Sequence, residues 1–393
     1  MSKDSFCILP HVHQMARQDG TISLCCNAID LGLQKDYPIK AWKSQYMDKV
    51  RKDLDSGKKI SQCQLCWDRE DKGFKSMRQE SNTEYGVSNI TLDTPKYLDL
   101  RLSNLCNLKC RMCNPVYSSQ IAKEYTTIDS TWYDEFVIGE ERDFKTKTLH
   151  EVKPDMWREF KTYIPGLEKL YFTGGEPTLV PQVKEYLQEC IDTGHAKHIK
   201  LVFTTNLTNI NKDILEMCKE FENVHWGTSI DGYGELNNYI RSNSNWKAVS
   251  KNLQLLMQSN FSVGVHPTVC VYNILHITEL LDYVESLWDG RYMPYIFLNL
   301  LQTPDFLSFQ YLPKDIKHEA SKRLQRYLIR SKYCKADESH NNTIQSIIKL
   351  LKNSQHDLNK LSTMKRFNDQ LDLTRQTKLE QILPEIHECI QNL

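Results

Sequence analysis

Three cysteines lie close together in the segment from Leu100 to Pro115, LRLSNLCNLKCRMCNP. Their spacing is Cys106-x3-Cys110-x2-Cys113, and no Cys or His occurs in the next twenty residues. Thiolates are soft ligands that suit zinc, copper(I) and iron–sulfur clusters. A structural zinc site needs four protein ligands, whereas three thiolates on a four-iron cluster leave one iron open for chemistry. The spacing therefore favours a reactive cluster over a structural zinc ion.

The first 73 residues contain a second set of cysteines, at positions 7, 25, 26, 63 and 66. Cys7, Cys25, Cys63 and Cys66 could close a second four-iron cluster with no open iron, or they could bind one structural zinc ion. Cys26 could take the place of Cys25 in either arrangement. The other cysteines stand singly in helix or strand patterns, where we expect small core residues: Cys190, Cys218, Cys270, Cys334 and Cys389.

Strand and helix patterns alternate around the three-cysteine segment. Between Tyr97 and Leu301, six apolar runs predict strands: YLDLRL, LEKLYFTG, HIKLVFTT, NVHWGTSI, FSVGVHPTVCV and YIFLNLL. Helical patterns separate these runs, which indicates an α/β fold with a parallel sheet. Six units favour a partial (β/α)6 TIM-like barrel over a complete barrel of eight. The three cysteines follow the first strand, at the edge where barrel active sites lie.

The cysteines and the sequence patterns of residues 1–90 predict a separate Cys-rich domain. The stretch RQDGTISLCC is typical of a hairpin with an Asp-Gly turn. Apolar residues recur every four positions in AWKSQYMDKVRKDLDSG, which predicts an amphipathic helix from Trp42 to Leu54 with Gly57 as its cap. We assign residues 91–305 to the barrel and residues 306–393 to a helical extension, because the strand patterns stop there.

The composition of the 393 residues is that of an ordinary globular protein, with 40% hydrophobic and 25% charged residues and a formal net charge of zero. Nucleic acid is therefore a possible partner that the overall charge does not favour. Eight basic residues between Lys314 and Lys335 form either a solvated helix face or a docking surface for an acidic partner. Because no signal peptide or long apolar stretch is present, we expect a cytoplasmic protein without membrane contact, where disulfides are rare.

The spacing Cys106-x3-Cys110-x2-Cys113 after a first strand resembles the cluster motif of radical S-adenosylmethionine (SAM) enzymes. In that family the open iron of a [4Fe–4S] cluster binds the amino and carboxylate groups of SAM. One electron then cleaves the sulfonium and releases a 5′-deoxyadenosyl radical. The resemblance implies that these three cysteines bind such a cluster and that the protein is an enzyme.

Other segments match the motifs with which that family binds SAM. YFTGGEPTL ends the second predicted strand, where the resemblance implies that Gly174, Gly175 and Glu176 hold the methionine amino group. Met112 stands where the family usually has an aromatic residue near the adenine. A flexible thioether can fill that gap.

The third and fourth strands are followed by TTN and SIDGYGELNNYIR. The resemblance implies that Asn206 contacts the ligand. The separation of Ser229 and Arg241 matches the peptide-modifying branch that includes the anaerobic sulfatase-maturating enzymes, in which these positions contact the ribose or carboxylate of SAM. An arginine fork suits a carboxylate.

The N-terminal cysteines resemble the SPASM and twitch auxiliary-cluster domains of the same family. Cys7-x12-Gly20-x4-Cys25 is similar to the opening of those domains, and Cys63-x2-Cys66 is similar to their later pair. The cysteines for a further SPASM cluster are missing, so the shorter twitch type with one auxiliary [4Fe–4S] cluster fits better. The chain departs from the family because this domain precedes the barrel.

These resemblances predict a radical SAM enzyme that abstracts hydrogen from a peptide or protein and receives electrons from a donor such as a flavodoxin or ferredoxin. The peptide preference rests on analogy between folds. Two alternatives stay open: radical oxidation of a small alcohol or sugar, and a zinc-stabilised binding module without enzymatic activity. The sequence assigns no catalytic acid or base.

Overall fold

The computed structural model describes residues 5–28, 37–71, 75–86, 93–128, 136, 149–288 and 293–393. Eight of its strands form one mostly parallel sheet, which confirms the α/β class and is consistent with a partial barrel. The chain divides into two compact units. The first unit comprises Met1–Cys106, Leu149–Thr204 and Asn211–Val224, and the second comprises Asn107–Thr148, Thr205–Ile210 and His225–Leu393.

All six predicted barrel strands are present, together with the two strands of the predicted hairpin and short strands that the sequence did not predict. The strands are β1 (His13–Ala16), β2 (Ile22–Ser23), β3 (Tyr97–Leu100), β4 (Lys109–Cys110), β5 (Lys169–Phe172), β6 (Lys200–Thr205), β7 (Asn223–Thr228), β8 (Arg241–Ser242), β9 (Ser262–Val265), β10 (Thr268–Val269), β11 (Tyr295–Ile296) and β12 (Asn299–Leu300).

The described helices alternate with these strands and then continue alone to the C-terminus. They are α1 (Leu9–Val12), α2 (Pro38–Trp42), α3 (Gln45–Asp55), α4 (Gln64–Asp71), α5 (Met77–Tyr85), α6 (Ser119–Tyr125), α7 (Pro154–Lys161), α8 (Pro181–Asp192), α9 (Lys212–Cys218), α10 (Glu235–Ile240), α11 (Trp246–Met257), α12 (Ile277–Ser286), α13 (Lys314–Arg330), α14 (Lys332–Ala336), α15 (Glu338–Asn353), α16 (Leu358–Arg375), α17 (Leu379–Ile382) and α18 (Pro384–Ile390).

In the first unit the strand order is β6, β5, β3, β1, β2. Neighbouring strands are parallel except β1 and β2, which form the predicted hairpin. Its turn has Gly20 at a positive φ of 83°, and the Asp19 carboxylate accepts hydrogen bonds from the Thr21 backbone N–H (2.9 Å) and hydroxyl (2.7 Å). The sequence did not predict that β1 would join the sheet beside β3, where His13 lies opposite Tyr97.

The predicted amphipathic helix of the N-terminal region is present as α3. Ser44 caps its start through a side-chain hydrogen bond, and Val50 and Leu54 lie on its buried face. Gly57, at a positive φ of 91°, donates to the Leu54 carbonyl just after the last turn (3.1 Å), as the sequence predicted. Trp42 belongs to the preceding helix α2 rather than to α3.

In the second unit, β7, β9 and β11 are parallel, and side chains alternate between the two faces of these strands. Trp226 and Val263 are buried, whereas His225 and His266 lie half-buried with ring centroids 5.9 Å apart. Burial and the neighbouring His225 lower the pKa of His266 to about 4. The His266 ring is therefore neutral near neutral pH.

The predicted C-terminal helices are present, but several of the basic side chains are matched internally. Lys317 is buried, and its Nζ donates to two backbone carbonyl oxygens. Arg323 pairs with Glu319 at 3.0 Å, and Arg330 pairs with Asp282. These contacts weaken the docking-surface interpretation of this helix. In the described part of the chain, no helix has the length and apolar character needed to cross a membrane.

We expect the free energy of unfolding to fall as the pH is lowered from 7 to 5, in part through His266. The unfolded imidazole takes up a proton near pH 6.5, whereas the native ring resists protonation until about pH 4, so stability is complete above pH 6.5 and is lost below it. His266→Gln should remove roughly 1–2 kcal/mol of this loss. Urea titrations of wild type, His266→Gln and the exposed control His318→Gln at both pH values test this prediction. The same pH dependence of the free energy of unfolding in all three proteins would contradict it.

Candidate functional site

The last two cysteines of the three-cysteine motif lie in the second unit. Cys110 belongs to β4, which pairs antiparallel with β8, and it lies opposite Arg241. The Cys113 backbone N–H donates to the Cys110 carbonyl at 3.0 Å, so a tight turn joins the two residues. Burial raises the pKa of the Cys110 thiol. Met112 lies half-buried within this turn. Cys106 is buried at the end of the first segment of the first unit.

Arg111 lies inside the motif, and its side chain is fully buried in the second unit. The guanidinium forms an ion pair with Asp372 and donates to Asn368 Oδ1 (3.2 Å) and Thr377 Oγ1 (2.9 Å). It also donates to the Tyr239 carbonyl (3.1 Å) and lies 3.7 Å above the centre of that ring. Helix α16 and the residues just after it therefore supply most of the acceptors that make this buried charge tolerable.

A second ionic contact joins α16 to the same strands. Arg375, the last residue of α16, binds both carboxylate oxygens of Glu124 and donates to Ser242 Oγ at 3.1 Å. Lys109 donates to the same carboxylate at 2.7 Å. Burial alone would raise the pKa of Glu124, but Arg375 and Lys109 outweigh it and lower the pKa. The end of α16 thus contacts β8 directly and β4 through Glu124.

Arg241 contacts both an acidic residue and a cysteine of the motif. Its Nε lies 2.6 Å from Asp231 Oδ2, an ion pair whose angles are not those of a hydrogen bond. Its Nη1 donates to Cys110 Sγ at 3.6 Å. Burial alone would lower the pKa of Arg241, but Asp231 and Cys110 raise it overall, which keeps the guanidinium charged. Ser229, half-buried after β7, donates its backbone N–H to the Thr205 carbonyl (2.8 Å).

Asn206 lies in a local hydrogen-bond network of the second unit. Its Nδ2 donates to Asn107 Oδ1 (2.9 Å), and its Oδ1 accepts from the backbone N–H (3.0 Å) and hydroxyl (2.7 Å) of Thr208. Asn107 in turn donates to the Thr208 hydroxyl at 2.8 Å. The structure therefore places Asn206 against the residue that follows Cys106.

In the first unit, the two predicted glycines pack against the chain just before Cys106. A Cβ on Gly175 would lie 2.3 Å from the Leu105 carbonyl oxygen, and Gly174 has a positive φ of 117° with Ser103 close by. The close approach expected for a ligand is thus made to the protein's own backbone. The backbone N–H of Glu176 donates to the Leu105 carbonyl at 2.7 Å.

Glu176 itself is buried, with 2% of its surface exposed. One carboxylate oxygen accepts hydrogen bonds from the Thr178 backbone N–H (3.2 Å) and hydroxyl (2.7 Å). This contact caps the short helical turn Pro177–Leu179 and fixes the direction of the carboxylate.

The structure brings the N-terminal cysteines together in the first unit. Cys7, Cys25 and Cys63 belong to one apolar cluster, and Cys66 acts electrostatically on Cys7. Burial raises the pKa of Cys7 and Cys63 to about 12 and raises the pKa of Cys25 well above its ordinary value. Cys26 is exposed, with its Sγ 3.5 Å from the Met77 sulfur. Thiols are the ligand type that soft metal groups prefer.

Within the described ranges, no group of three or more His, Cys, Asp or Glu side chains is close enough to hold a single metal ion. A zinc ion needs its four ligands within about 2.3 Å of one point. A four-iron cluster holds its thiolates further apart, because each binds a different iron. No described set of cysteines therefore has the geometry of a single structural zinc site.

Part of the chain is similar to a known protein family. The model of the family described as the radical SAM superfamily matches residues 100–285, which include the three-cysteine motif. Residues 100–285, just under half of the chain, are therefore similar to radical SAM superfamily enzymes. A match to this family implies a [4Fe–4S] cluster and SAM, the groups that the sequence predicted.

Two curated relatives are similar in sequence to part of the chain. An uncharacterized protein of Methanocaldococcus jannaschii is 27% identical over 201 residues, which are 49% of this chain and 59% of that protein. The Fe-coproporphyrin III synthase of Methanosarcina barkeri is 27% identical over 125 residues, 31% of this chain and 30% of that protein. The chain thus spans less than two thirds of either relative.

Several solved structures are distantly similar. The enzyme anSMEcpe with bound SAM has a TM-score of 0.41 and 17% identity, over 59% of this chain and 60% of that chain. SuiB of Streptococcus suis with bound SAM has a TM-score of 0.41 and 15% identity, over 73% and 58%. SuiB bound to precursor peptide SuiA has a TM-score of 0.40 and 13% identity, over 74% and 59%. These likenesses are too distant to assign a substrate.

The sequence missed the charged residues that hold the cysteine turn. Arg111 was visible inside the motif, and a charged residue between two cysteines could have suggested a buried contact. Its partner Asp372 lies more than 250 positions away and carries no local signal. Asp231 stands two residues after Ser229 in the quoted SIDG segment, and only the structure pairs it with Arg241.

We expect Asp372→Asn to lower the free energy of unfolding by about 3 kcal/mol, because removing one partner leaves the charge of Arg111 buried and unmatched. Asp369→Asn on the same helix is the matched control, since Asp369 is 63% exposed and pairs with Lys365; it should cost less than about 1 kcal/mol. Chemical denaturation of both variants measures the difference. Equal destabilisation would mean that the Arg111 contact contributes little.

Proposed function

We propose that the chain is a radical SAM enzyme that binds a [4Fe–4S] cluster through Cys106, Cys110 and Cys113 and acts on a peptide or protein. A cluster held by these three cysteines would supply the electron for reductive cleavage of SAM, and so the radical chemistry that removes hydrogen from the substrate. The observation that carries the proposal is the family match over residues 100–285, with all three cysteines inside it. The turn between Cys110 and Cys113, held through Arg111, supports the assignment of these two ligands.

The SAM-binding residues are proposed from the family resemblance. Glu176 would accept a hydrogen bond from the methionine ammonium group, and Thr178 supports this role because it fixes one carboxylate oxygen. A carboxylate held in a buried setting binds an ammonium more strongly than one in water does. The remaining proposed SAM contacts are Met112, Gly174, Gly175, Asn206, Ser229 and Arg241.

We also propose an auxiliary [4Fe–4S] cluster bound by Cys7, Cys25, Cys63 and Cys66. Its support is the common core of the first three thiols and the electrostatic proximity of the fourth. Cys25 is preferred to Cys26, because Cys25 is buried with the other thiols whereas Cys26 is exposed and contacts Met77. A twitch-type domain in residues 1–90 is part of the same proposal.

The peptide or protein substrate rests on the likeness of the N-terminal cysteines to SPASM and twitch domains. A flavodoxin or ferredoxin is the proposed electron donor. Oxidation of a small alcohol or sugar is the alternative. Formation of 5′-deoxyadenosine by the anaerobically reconstituted, reduced enzyme tests the shared first step, and transfer of deuterium from labelled candidate substrates into that product distinguishes the substrate classes.

We expect the triple variant Cys106→Ala, Cys110→Ala, Cys113→Ala to retain about half of the wild-type iron and sulfide and to form no 5′-deoxyadenosine, because only the auxiliary cluster would remain. The variant Cys190→Ala, Cys218→Ala is the control, since both cysteines are buried singly in helices. It should keep all of the iron. Zinc without sulfide in the triple variant would contradict the auxiliary cluster.

Glu176→Ala should weaken SAM binding by roughly ten- to a hundredfold, the effect of losing one hydrogen bond to a charged group. Thr178→Val removes the hydroxyl that contacts the same carboxylate but leaves the carboxylate in place, so it should change affinity much less. Equilibrium dialysis of SAM against the reconstituted proteins measures both. Similar dissociation constants for Glu176→Ala and wild type would refute the assigned role.

A further inference from the structure

We infer that Asp231 holds Arg241 so that its guanidinium donates to Cys110, and that this contact positions the ligand and tunes the reduction potential of the cluster. The inference rests on the proposed binding of a cluster by Cys110. It concerns a contact between protein groups, which exists whether or not Arg241 also binds SAM.

The backbone places the two partners side by side. Cys110 on β4 lies directly opposite Arg241 on β8, so their side chains start from neighbouring backbone positions. The Arg241 Nη1 reaches Cys110 Sγ at 3.6 Å, within the range of a hydrogen bond to sulfur. A donor at this position stays in contact with the thiolate as long as the two strands are paired.

Asp231 is fixed on every side, which makes it suitable for holding a guanidinium. Its side chain is fully buried, and its Oδ1 accepts from the Thr268 backbone N–H at 2.8 Å. Its own backbone N–H donates to Asn237 Oδ1 (3.1 Å), and its carbonyl accepts from Asn273 Nδ2 (2.9 Å). The remaining oxygen, Oδ2, lies 2.6 Å from Arg241 Nε. The carboxylate therefore cannot turn away from the arginine without losing the Thr268 contact.

The planar guanidinium transmits this constraint to the sulfur. Because Nε and Nη1 belong to one rigid group, fixing Nε at Asp231 also fixes the direction of Nη1. A hydrogen bond and a positive charge at a cysteine sulfur stabilise the reduced cluster, which carries one more negative charge. The contact should thus make the cluster easier to reduce.

Two variants separate positioning from a simple effect of charge. Arg241→Gln removes the charge and the fork, so the potential should fall. Asp231→Asn removes the negative charge that pairs with Arg241, but its amide oxygen can still accept from the Thr268 backbone N–H. If Asp231 positions Arg241, the reduction potential of the cluster should be lower in Asp231→Asn than in wild type, as in Arg241→Gln. If Asp231 only offsets the positive charge of Arg241, replacing it with neutral Asn should raise the reduction potential of the cluster.

The measurement is an EPR-monitored redox titration without SAM. The variants are made in a background with Cys63→Ala and Cys66→Ala, so that the signal comes from the cluster bound through Cys110. At a fixed applied potential, we expect the reduced-to-oxidised ratio to fall about tenfold in both variants, which corresponds to about 59 mV for one electron. Arg330→Gln is the control, because it removes an arginine from an exposed pair with Asp282; it should leave the potential unchanged.

An unchanged potential in Arg241→Gln, or opposite shifts in Arg241→Gln and Asp231→Asn, would overturn the inference. Arg241→Lys keeps the charge without the fork and should give a smaller fall; it replaces Arg241→Gln if that variant fails to fold. Loss of iron from a folded Asp231→Asn variant would support the positioning role. If wild type itself forms no 5′-deoxyadenosine, the proposed function fails, whereas a potential that no variant changes refutes only this inference.

Discussion

A guanidinium that is withdrawn from water must be matched by acceptors, and Arg111 meets this requirement mainly with residues of the C-terminal helices. Asp372 and Asn368 lie on α16, and Thr377 follows that helix. A buried charge that loses its partner is strongly destabilising, so the turn from Cys110 to Cys113 and α16 reach their native arrangement together. The C-terminal helices are therefore part of the structure that holds the cysteine turn, although they lie outside residues 100–285 that the family model matches.

In the first unit, the chain just before Cys106 is held by a steric constraint rather than an ionic one. Gly175 approaches the Leu105 carbonyl so closely that any side chain would collide with it. The backbone N–H of Glu176 then donates to that carbonyl. The two glycines of the GGEP segment thus serve the packing of the cysteine segment, and the same turn directs the Glu176 carboxylate. One short sequence motif satisfies both needs, which explains why its residues must be adjacent.

Much of this architecture could be predicted, because strands, turns and metal ligands leave local signals. The six barrel strands, the hairpin and the cap at Gly57 all follow from patterns within about ten residues. The pairs that hold the cysteine turn could not be predicted in this way. Arg111 and Asp372 are separated by 261 positions, and a single aspartate on a helix gives no sign of a distant partner. The pairing of β1 with β3 was missed for a similar reason: it spans more than eighty residues, and the cysteines nearby suggested a separate domain.

The N-terminal thiols add a further consequence of burial. With the pKa of Cys7 and Cys63 near 12, these side chains are protonated at neutral pH unless a metal group binds them. Binding of a metal group must then release protons. The apolar setting disfavours free thiolates, so it favours the metal-bound thiolates over the free ones once the group is bound. Leu54 and Trp67 lie in the same core as these cysteines. If the bound group were lost, polar thiols would therefore remain inside an apolar core, and the core would not open to water. For this reason we expect the stability of this region, and not only its redox chemistry, to depend on the metal group that we propose for the four cysteines.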